Sequence, residues 1–508
     1  METEIIEART KNSRKILKSP HKYRLETSMG AIHYDPADWK PIENEIVNGV
    51  MDHADYQMNL LQANFDGGKI IRFSSAGESV DLQPMELDWI NDMDQVQQIA
   101  VPQAVPAIIT NRITPIFSNP THKEGTITYE GAYGAGTSIA WSLQTEQLAK
   151  ILTINNLSDL AAPSQHIIDG GNACLLLNFI FDPSENMDIY VDNVLWDKST
   201  KAQTFGFIEF RKAGETLFGF KPLSFWDSNH NFDQSIATLE QAEGNLFIEI
   251  RVPYTWLQTA IFPVMIDADI DLTTTGLGKD AAFRGLTEYL NIFNATYNPC
   301  GRWNSGDKLW GSGFCFHLTF PLSVIIDACT AIFTAQRSAS RDATHVCNSR
   351  IWAEDASSLA DFSSVNATTF KARFANATSA VVDWDGVPAQ TVDVDFTSPD
   401  FSEVLQEVVN IGGWGGDESP AGTKAGNFVF FWNDWDDRSI GDGSGTTMAL
   451  SNAYDYYSTT TNCVRLAVDY SEGGWSNIDG INNISSASIS KVNNVEVAGI
   501  SKVHGVSV

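Results

Sequence analysis

Asp434, Asp436, Asp437 and Asp442 form the densest acidic group in the chain, and Trp432 and Trp435 stand beside them. A calcium ion needs several oxygen ligands converging on one point, which a loop carrying four carboxylates could supply. The four aspartates are therefore the candidate metal ligands, with Ca2+ the implied ion. Indole rings next to acids also suit stacking on a sugar, so Trp432 and Trp435 are the candidate glycan-binding residues. The competing reading is a solvated loop whose tryptophans anchor it to the core. Trp384 and Trp414 read as core anchors on the same reasoning.

Other chemistry finds less footing. The nine histidines lie at 21, 33, 53, 122, 166, 230, 317, 345 and 504, too scattered for a zinc-type H-E-x-x-H pair. Gly276-Leu277-Gly278-Lys279-Asp280 has the look of a phosphate loop. However, Thr273 occupies its first glycine position and Asp280 stands where a metal-binding hydroxyl belongs. A glycine-rich linker explains that segment better. With 63 acidic residues, carboxylate pairs are too common for counting to exclude a glycosidase. No residue is assigned a catalytic role, the chain is read as non-enzymatic, and no cofactor is required.

The six cysteines, Cys174, Cys300, Cys315, Cys329, Cys347 and Cys463, include no C-x-x-C pair, which removes support for zinc ribbons and thioredoxin-like chemistry. Five fall after residue 299. One or two bridges in the later half, or buried reduced thiols, are the two readings, with the thiols favoured.

The elements that position these residues follow from composition and periodicity. At 508 residues the chain should divide into two to four domains. Its content, 43% hydrophobic and 19% charged, is globular, not disordered. A formal charge of −30 argues against nucleic acid as a partner, because phosphate binding needs clustered Lys and Arg. The first residues are charged and lack the apolar core of a secretory signal. The most apolar stretch, near Leu322 to Phe333, is short and holds Asp327, so no membrane insertion is expected.

Period-two segments cut by Gly, Asn, Asp and Pro dominate, the mark of antiparallel β structure. Leu246, Ile248, Ile250 and Val252 alternate with Phe247, Glu249 and Arg251. Residues 207–211 and 216–220 flank Ala213-Gly214 as a hairpin. Phe314, Phe316, Leu318 and Phe320 form one apolar face, and residues 428–432 are apolar throughout, as in a strand buried on both faces. One helix is expected, with Asp400 and Glu403 as a capping box and Phe401, Val404, Leu405 and Val408 as its stripe.

The resulting organisation is a basic arm over residues 1–28, a β-rich region over 29–272, a β-sandwich over 273–471 and a tail over 472–508. The arm carries seven basic residues against four glutamates and could dock on an acidic neighbour. The region 29–272 is long enough for two sandwiches, with a boundary near 120–130. In the tail, Ile478-Asp479-Gly480-Ile481, Val492-Asn493-Asn494-Val495 and Val503-His504-Gly505-Val506 repeat an apolar residue on each side of a two-residue turn, which predicts small hairpins. The fold class is all-β: tandem β-sandwich, jelly-roll-like domains with one short helix and a β-hairpin repeat tail.

Three stretches carry resemblances. Residues 7–15, Ile32-His33-Tyr34-Asp35, Trp39-Lys40-Pro41-Ile42, Tyr129-Glu130-Gly131-Ala132-Tyr133-Gly134 and Phe262-Pro263-Val264-Met265-Ile266-Asp267 resemble a β-rich domain of phage virion proteins and of bacterial wall-associated or Rhs-type proteins. Residues 351–355, Val382-Asp383-Trp384, residues 398–401 and 406–410, and Gly413-Trp414 resemble a jelly-roll-like module of phage and surface proteins. Residues 489–495 and 500–506 are similar to the Lys-Val-Asn-Gly-Val repeats that end many phage structural proteins, with Asn494 and His504 departing from the usual Asn-Gly turn.

The resemblance implies a structural component of a tailed bacteriophage virion, exposed on head or tail as a decoration protein, head fibre or tail fibre. Its expected partners are other virion proteins, copies of itself, with a trimer expected by analogy with fibres, and a host-surface glycan. A polysaccharide-depolymerising tail spike and a bacterial wall-associated surface protein are the alternatives.

Overall fold

The computed structural model describes residues 2–29, 32–34, 40–52, 56–115, 117, 121–143, 147–185, 187–228, 232–267, 270–271, 279–284, 288–289, 297–302, 309–322, 324–339, 345–362, 373–414, 423–441, 447–453 and 463–472, together with the strand pairs of the tail at 480–481, 484–485, 491–492, 495–496, 502–503 and 506–507. The fold is all-β, with antiparallel sheets and a few short helices. Two compact units form: Lys40–Gly276, and Met1–Trp39 together with Leu277–Val508.

In the unit Lys40–Gly276, strands Asn245–Pro253, Cys174–Pro183, Glu78–Ile90 and Ile71–Ser75 pair in that order within one sheet. Strands Ile108–Pro115, Thr121–Glu130, Thr137–Leu143 and Gln147–Ile154 begin the other large sheet, which continues to Glu215–Phe220 and Ile208–Lys212. Alternation decides which side chains meet between the sheets. Phe73 of the first meets Phe218 of the second edge-to-face at 5.5 Å, and Trp141 meets Phe179 at 6.3 Å. A single hydrophobic cluster contains residues from both sheets. The boundary expected near 120–130 does not exist, because the strand Thr121–Glu130 runs through it into this shared core. The hairpin at Ala213-Gly214 forms as expected. Ile208 pairs with Phe220, and the two tip residues take positive φ of 52° and 87°.

In the second unit, one sheet runs Thr3–Ile5, Ser13–Ser19, Lys22–Ser28, Arg465–Glu472, Val324–Thr334, Asp395–Thr397. The other is centred on Leu309–Pro321 and Thr423–Asn433, which pair in register from Gly311↔Asn433 to Pro321↔Thr423. Phe314 packs on Phe333 at 5.7 Å and Phe320 on Tyr470 at 5.3 Å, joining the two sheets across one core. The strand read as buried on both faces is so: Phe428, Phe430 and Trp432 enter that core, while Val429 and Phe431 enter a smaller cluster with Trp352 and Phe362. Truncating one of these aromatic side chains to alanine would cost about 3–5 kcal/mol.

Residues 1–28 do not stand apart as an arm. Strands Ser13–Ser19 and Lys22–Ser28 form a hairpin that continues the sheet through Arg465–Glu472, pairing Lys22 with Ser471 through to Ser28 with Arg465. The acidic neighbour is a strand of the same chain: Lys15 reaches Glu472 at 3.2 Å and Lys18 reaches Asp469 at 2.8 Å.

The helix spans Ser402–Val409 and buries Val404, Leu405, Val408 and Val409. Its cap differs from the expected box. Phe401 is the N-cap residue, with no side-chain cap bond. Asp400 instead accepts the backbone N–H of Cys329 at 2.8 Å and of Ser402 at 2.9 Å, tying the helix start to a neighbouring strand. Positive φ at Gly413, 81°, follows the helix end.

The tail forms three two-stranded pairs: Ile481↔Ile484, Val492↔Val495 and Val503↔Val506. The second and third match the expected hairpins. The first pair belongs to Ile481-Asn482-Asn483-Ile484, which has the same form as Val492-Asn493-Asn494-Val495, while Ile478 and Asp479 of the expected first unit lie outside the described residues. All six cysteines are free thiols, five of them buried.

Candidate functional site

The acidic loop leaves the end of the strand Thr423–Asn433, and its first carboxylate turns inward. Asp434 is 1% exposed, and it accepts the backbone N–H groups of Arg438 at 2.7 Å and Ser439 at 3.2 Å. The carboxylate thus closes its own turn, and Asp437 takes a positive φ of 52° within it. Burial pushes the Asp434 carboxyl above its ordinary pKa, against the hydrogen bonds from Ser439 and Arg438.

The other two described aspartates point to cations. Asp436 pairs with Arg350, and Asp437 lies 3.6 Å from Arg302. Arg350 also holds Asp383 at 2.7 Å, and Arg438 spans Asp383 at 2.8 Å and Asp385 at 2.6 Å. The hydrogen bond from Arg350 is the main cause of the lowered Asp383 pKa. Asp434, Asp436 and Asp437 are thereby sent to three different partners and not to one point. Among the described residues no group of three or more His, Cys, Asp or Glu is arranged to hold a metal ion. Asp442 lies outside the described residues.

Neither tryptophan offers a sugar-stacking platform. Trp432 is 0% exposed and donates its indole N–H to Ser349 Oγ at 2.9 Å inside the core. Trp435 is half-buried, with its ring 4.2 Å from Phe374 and 5.6 Å from Trp352. Trp384 and Trp414 are core residues as read, Trp414 bonding Asn427 O at 3.2 Å. What sequence reasoning missed at this loop is the guanidinium set, Arg302, Arg350 and Arg438. Arg438 stands inside the acidic run and was the available signal, whereas Arg302 and Arg350 arrive from distant strands.

A cavity of about 710 Å³ in the unit Lys40–Gly276 escaped the sequence reading entirely. Its walls include Ile168, Phe205 and Ile236, exposed by 45%, 54% and 37%, with Arg251, Gln234 and Gln258 as polar groups. Its size and its mix of apolar surface with a few hydrogen-bonding groups suit a small organic ligand. Arg251 is already engaged by Glu249 at 2.8 Å, which weakens it as an anion receptor. Single exposed apolar residues far apart in sequence leave no local pattern that would have revealed this site.

No family model matches the chain, and no curated protein matches it. Among solved structures, that of infectious bursal disease virus, Gx strain, aligns at 6% identity over 78% of this chain and 75% of that one, with a TM-score of 0.12. The N-terminal domain of a Streptococcus gordonii adhesin aligns at 6% identity over 84% and 93%, TM-score 0.13. The triple jelly roll of an archaeal virus turret aligns at 9% identity over 84% and 96%, TM-score 0.09. At these TM-scores the superpositions define no common arrangement.

Proposed function

We propose that this chain is a structural component of a tailed-phage virion, displayed on the outside of head or tail, where it binds other virion proteins and copies of itself. The observation that carries the reading is the tail. Its residues 489–495 and 500–506 are similar to the repeats that end phage structural proteins, and they form the paired strands Val492↔Val495 and Val503↔Val506. A net charge of −30 supports an abundant, exposed protein kept apart from nucleic acid. The chain acts in this reading without catalysis or cofactor, as a decoration protein, head fibre or tail fibre. A host glycan remains a proposed partner, and the buried Trp432 excludes that residue from the contact.

Immunogold labelling with antibody to the purified chain tests the proposal. Label on the surface of intact particles, with the chain present in their protein content, is the expected result. Label on the wall of uninfected bacteria would overturn it in favour of a surface protein. Release of sugar from host capsule by the purified chain would overturn the non-enzymatic part.

A further inference from the structure

The strand Ile108–Pro115 ends its sheet. It pairs on one side with Thr121–Glu130, residue for residue from Ile108↔Thr128 to Pro115↔Thr121, with no register shift. Among the described residues no strand pairs with its other side. Residues 108–113 are all exposed, with Ile108 at 50%, Ile109 at 42% and Ile113 at 62%. Proteins ordinarily blunt such an edge with lysine, proline, a bulge or a covering loop. Among the described residues none of these devices acts here. The strand holds no lysine, its proline stands at the last position, and its pairing is free of bulges. Its one charge, Arg112, is met by Glu124 at 3.3 Å within the same hairpin.

The residue order says what covers it. Ile109 and Ile113 lie two positions on either side of Asn111. An antiparallel copy of the strand, related by a two-fold axis through Asn111, sets each Ile109 opposite Ile113 of the partner subunit. Thr110 then faces Arg112 of the partner subunit, so the two arginines do not meet. An axis through Arg112 would oppose the arginines, and one through Thr110 would set isoleucine against Asn111. Cross-strand apolar pairs favour the first register and opposed like charges disfavour the second. The polar residue on the axis is already satisfied, since the Asn111 amide accepts from Ile46 N at 2.8 Å and donates to Ile46 O at 3.1 Å.

We infer that this edge is a self-association surface, on which a second copy of the chain adds its own strand 108–115 antiparallel about Asn111. The contact is isologous and closes as a dimer, where fibre analogy alone suggested a trimer. It is independent of the virion reading, because it rests on the edge alone.

Sedimentation equilibrium of the full chain at micromolar concentration should give twice the chain mass of 55.8 kDa. Ile109→Lys with Ile113→Lys places like charges across the pairing at two exposed positions and should give the single mass, with the β-sheet circular dichroism of the parent chain retained. The register has its own readout: Ile109→Cys with Ile113→Cys should form a covalent dimer under oxidation, absent in the unaltered chain. These two positions lie too far apart along one extended strand to bridge within a copy. A chain that stays monomeric, so that only a different protein could cover the strand, would overturn the inference. So would a dimer that survives the lysine pair, or one that the cysteine pair fails to cross-link.

Discussion

Arg24 and Asp469 face each other across a strand pair and share two hydrogen bonds, from Nε at 2.6 Å and from Nη2 at 2.9 Å, although 445 positions separate them in the chain. Lys18 adds a third contact to the same carboxylate at 2.8 Å. Burial raises the Asp469 pKa, but the hydrogen bonds from Arg24 and Lys18 outweigh it and hold the group below its ordinary value. The pair therefore stabilises the unit at neutral pH, and that contribution is lost as pH falls through the depressed pKa. Asp469→Asn should cost about 2 kcal/mol in denaturant unfolding at pH 7, since hydrogen bonds to charged groups contribute about that much. The difference should shrink at strongly acid pH. Equal unfolding midpoints at pH 7 would remove the pair from the stability account.

Strand order makes a second outcome testable. The unit that holds Leu277–Val508 also holds Met1–Trp39, so both its chain segments belong to one sheet. A protease site inserted between Gly276 and Leu277 should yield two fragments that elute together on size exclusion and separate only under denaturation. Removing residues 2–28 should instead destabilise the unit, because it strips the strand Lys22–Ser28 from Arg465–Glu472 and takes Leu25, 7% exposed in the intact chain, out of the core. Free dissociation of the nicked fragments in native buffer would contradict the shared sheet.

Asp88 lies on the strand Glu78–Ile90, opposite Leu176 on one neighbouring strand and Gln98 on the other. Burial, aided by Glu86, pushes its carboxyl up to about 6. The folded state therefore binds the proton more tightly than the unfolded chain, and stability falls as pH rises from the ordinary carboxylate value toward 6. Asp88→Asn should stabilise the protein by about 1 kcal/mol at pH 7.5, a figure reduced for solvent screening of a half-buried group. Near pH 4 the two proteins should melt together. A variant less stable than the parent at pH 7.5 would show that the carboxylate is held by favourable contacts.

Alternation was enough to read the strands Asn245–Pro253 and Leu309–Pro321, the hairpin at Ala213-Gly214 and the apolar stripe of the helix, because each depends on neighbours within a few residues. The closing of Lys22–Ser28 onto Arg465–Glu472 was not legible. A basic segment announces that it needs acids, and nothing local states that those acids lie at the far end of the chain. The same limit explains the loop: four aspartates close in sequence suggested convergence, whereas side-chain direction is set by the turn at Asp434 and by arginines from other strands. Trp432 shows the converse: it neighbours the acids in sequence, but its place in the apolar run 428–432 puts it in the core, in agreement with the core-anchor reading.

The calcium reading can be decided at that loop. Three of its aspartates already have partners in the fold: Asp434 the N–H groups of Arg438 and Ser439, Asp436 the Arg350 guanidinium, and Asp437 the nearby Arg302. A cation drawing them onto one point would have to open the Asp434 turn and break the Arg350 contact, losing hydrogen bonds to a charged group worth about 1.5–3 kcal/mol each. The melting temperature should therefore be the same in millimolar calcium and in excess chelator. Arg438→Ala acts on the opposite side of the balance. It removes the links to Asp383, Asp385 and the Ser349 carbonyl, and should lower the melting temperature in both buffers alike. A ligand that binds only the folded state raises stability with its concentration. A rise of several degrees on adding calcium to the unaltered chain would show that the carboxylates rearrange around the ion and that the arginine contacts give way to it.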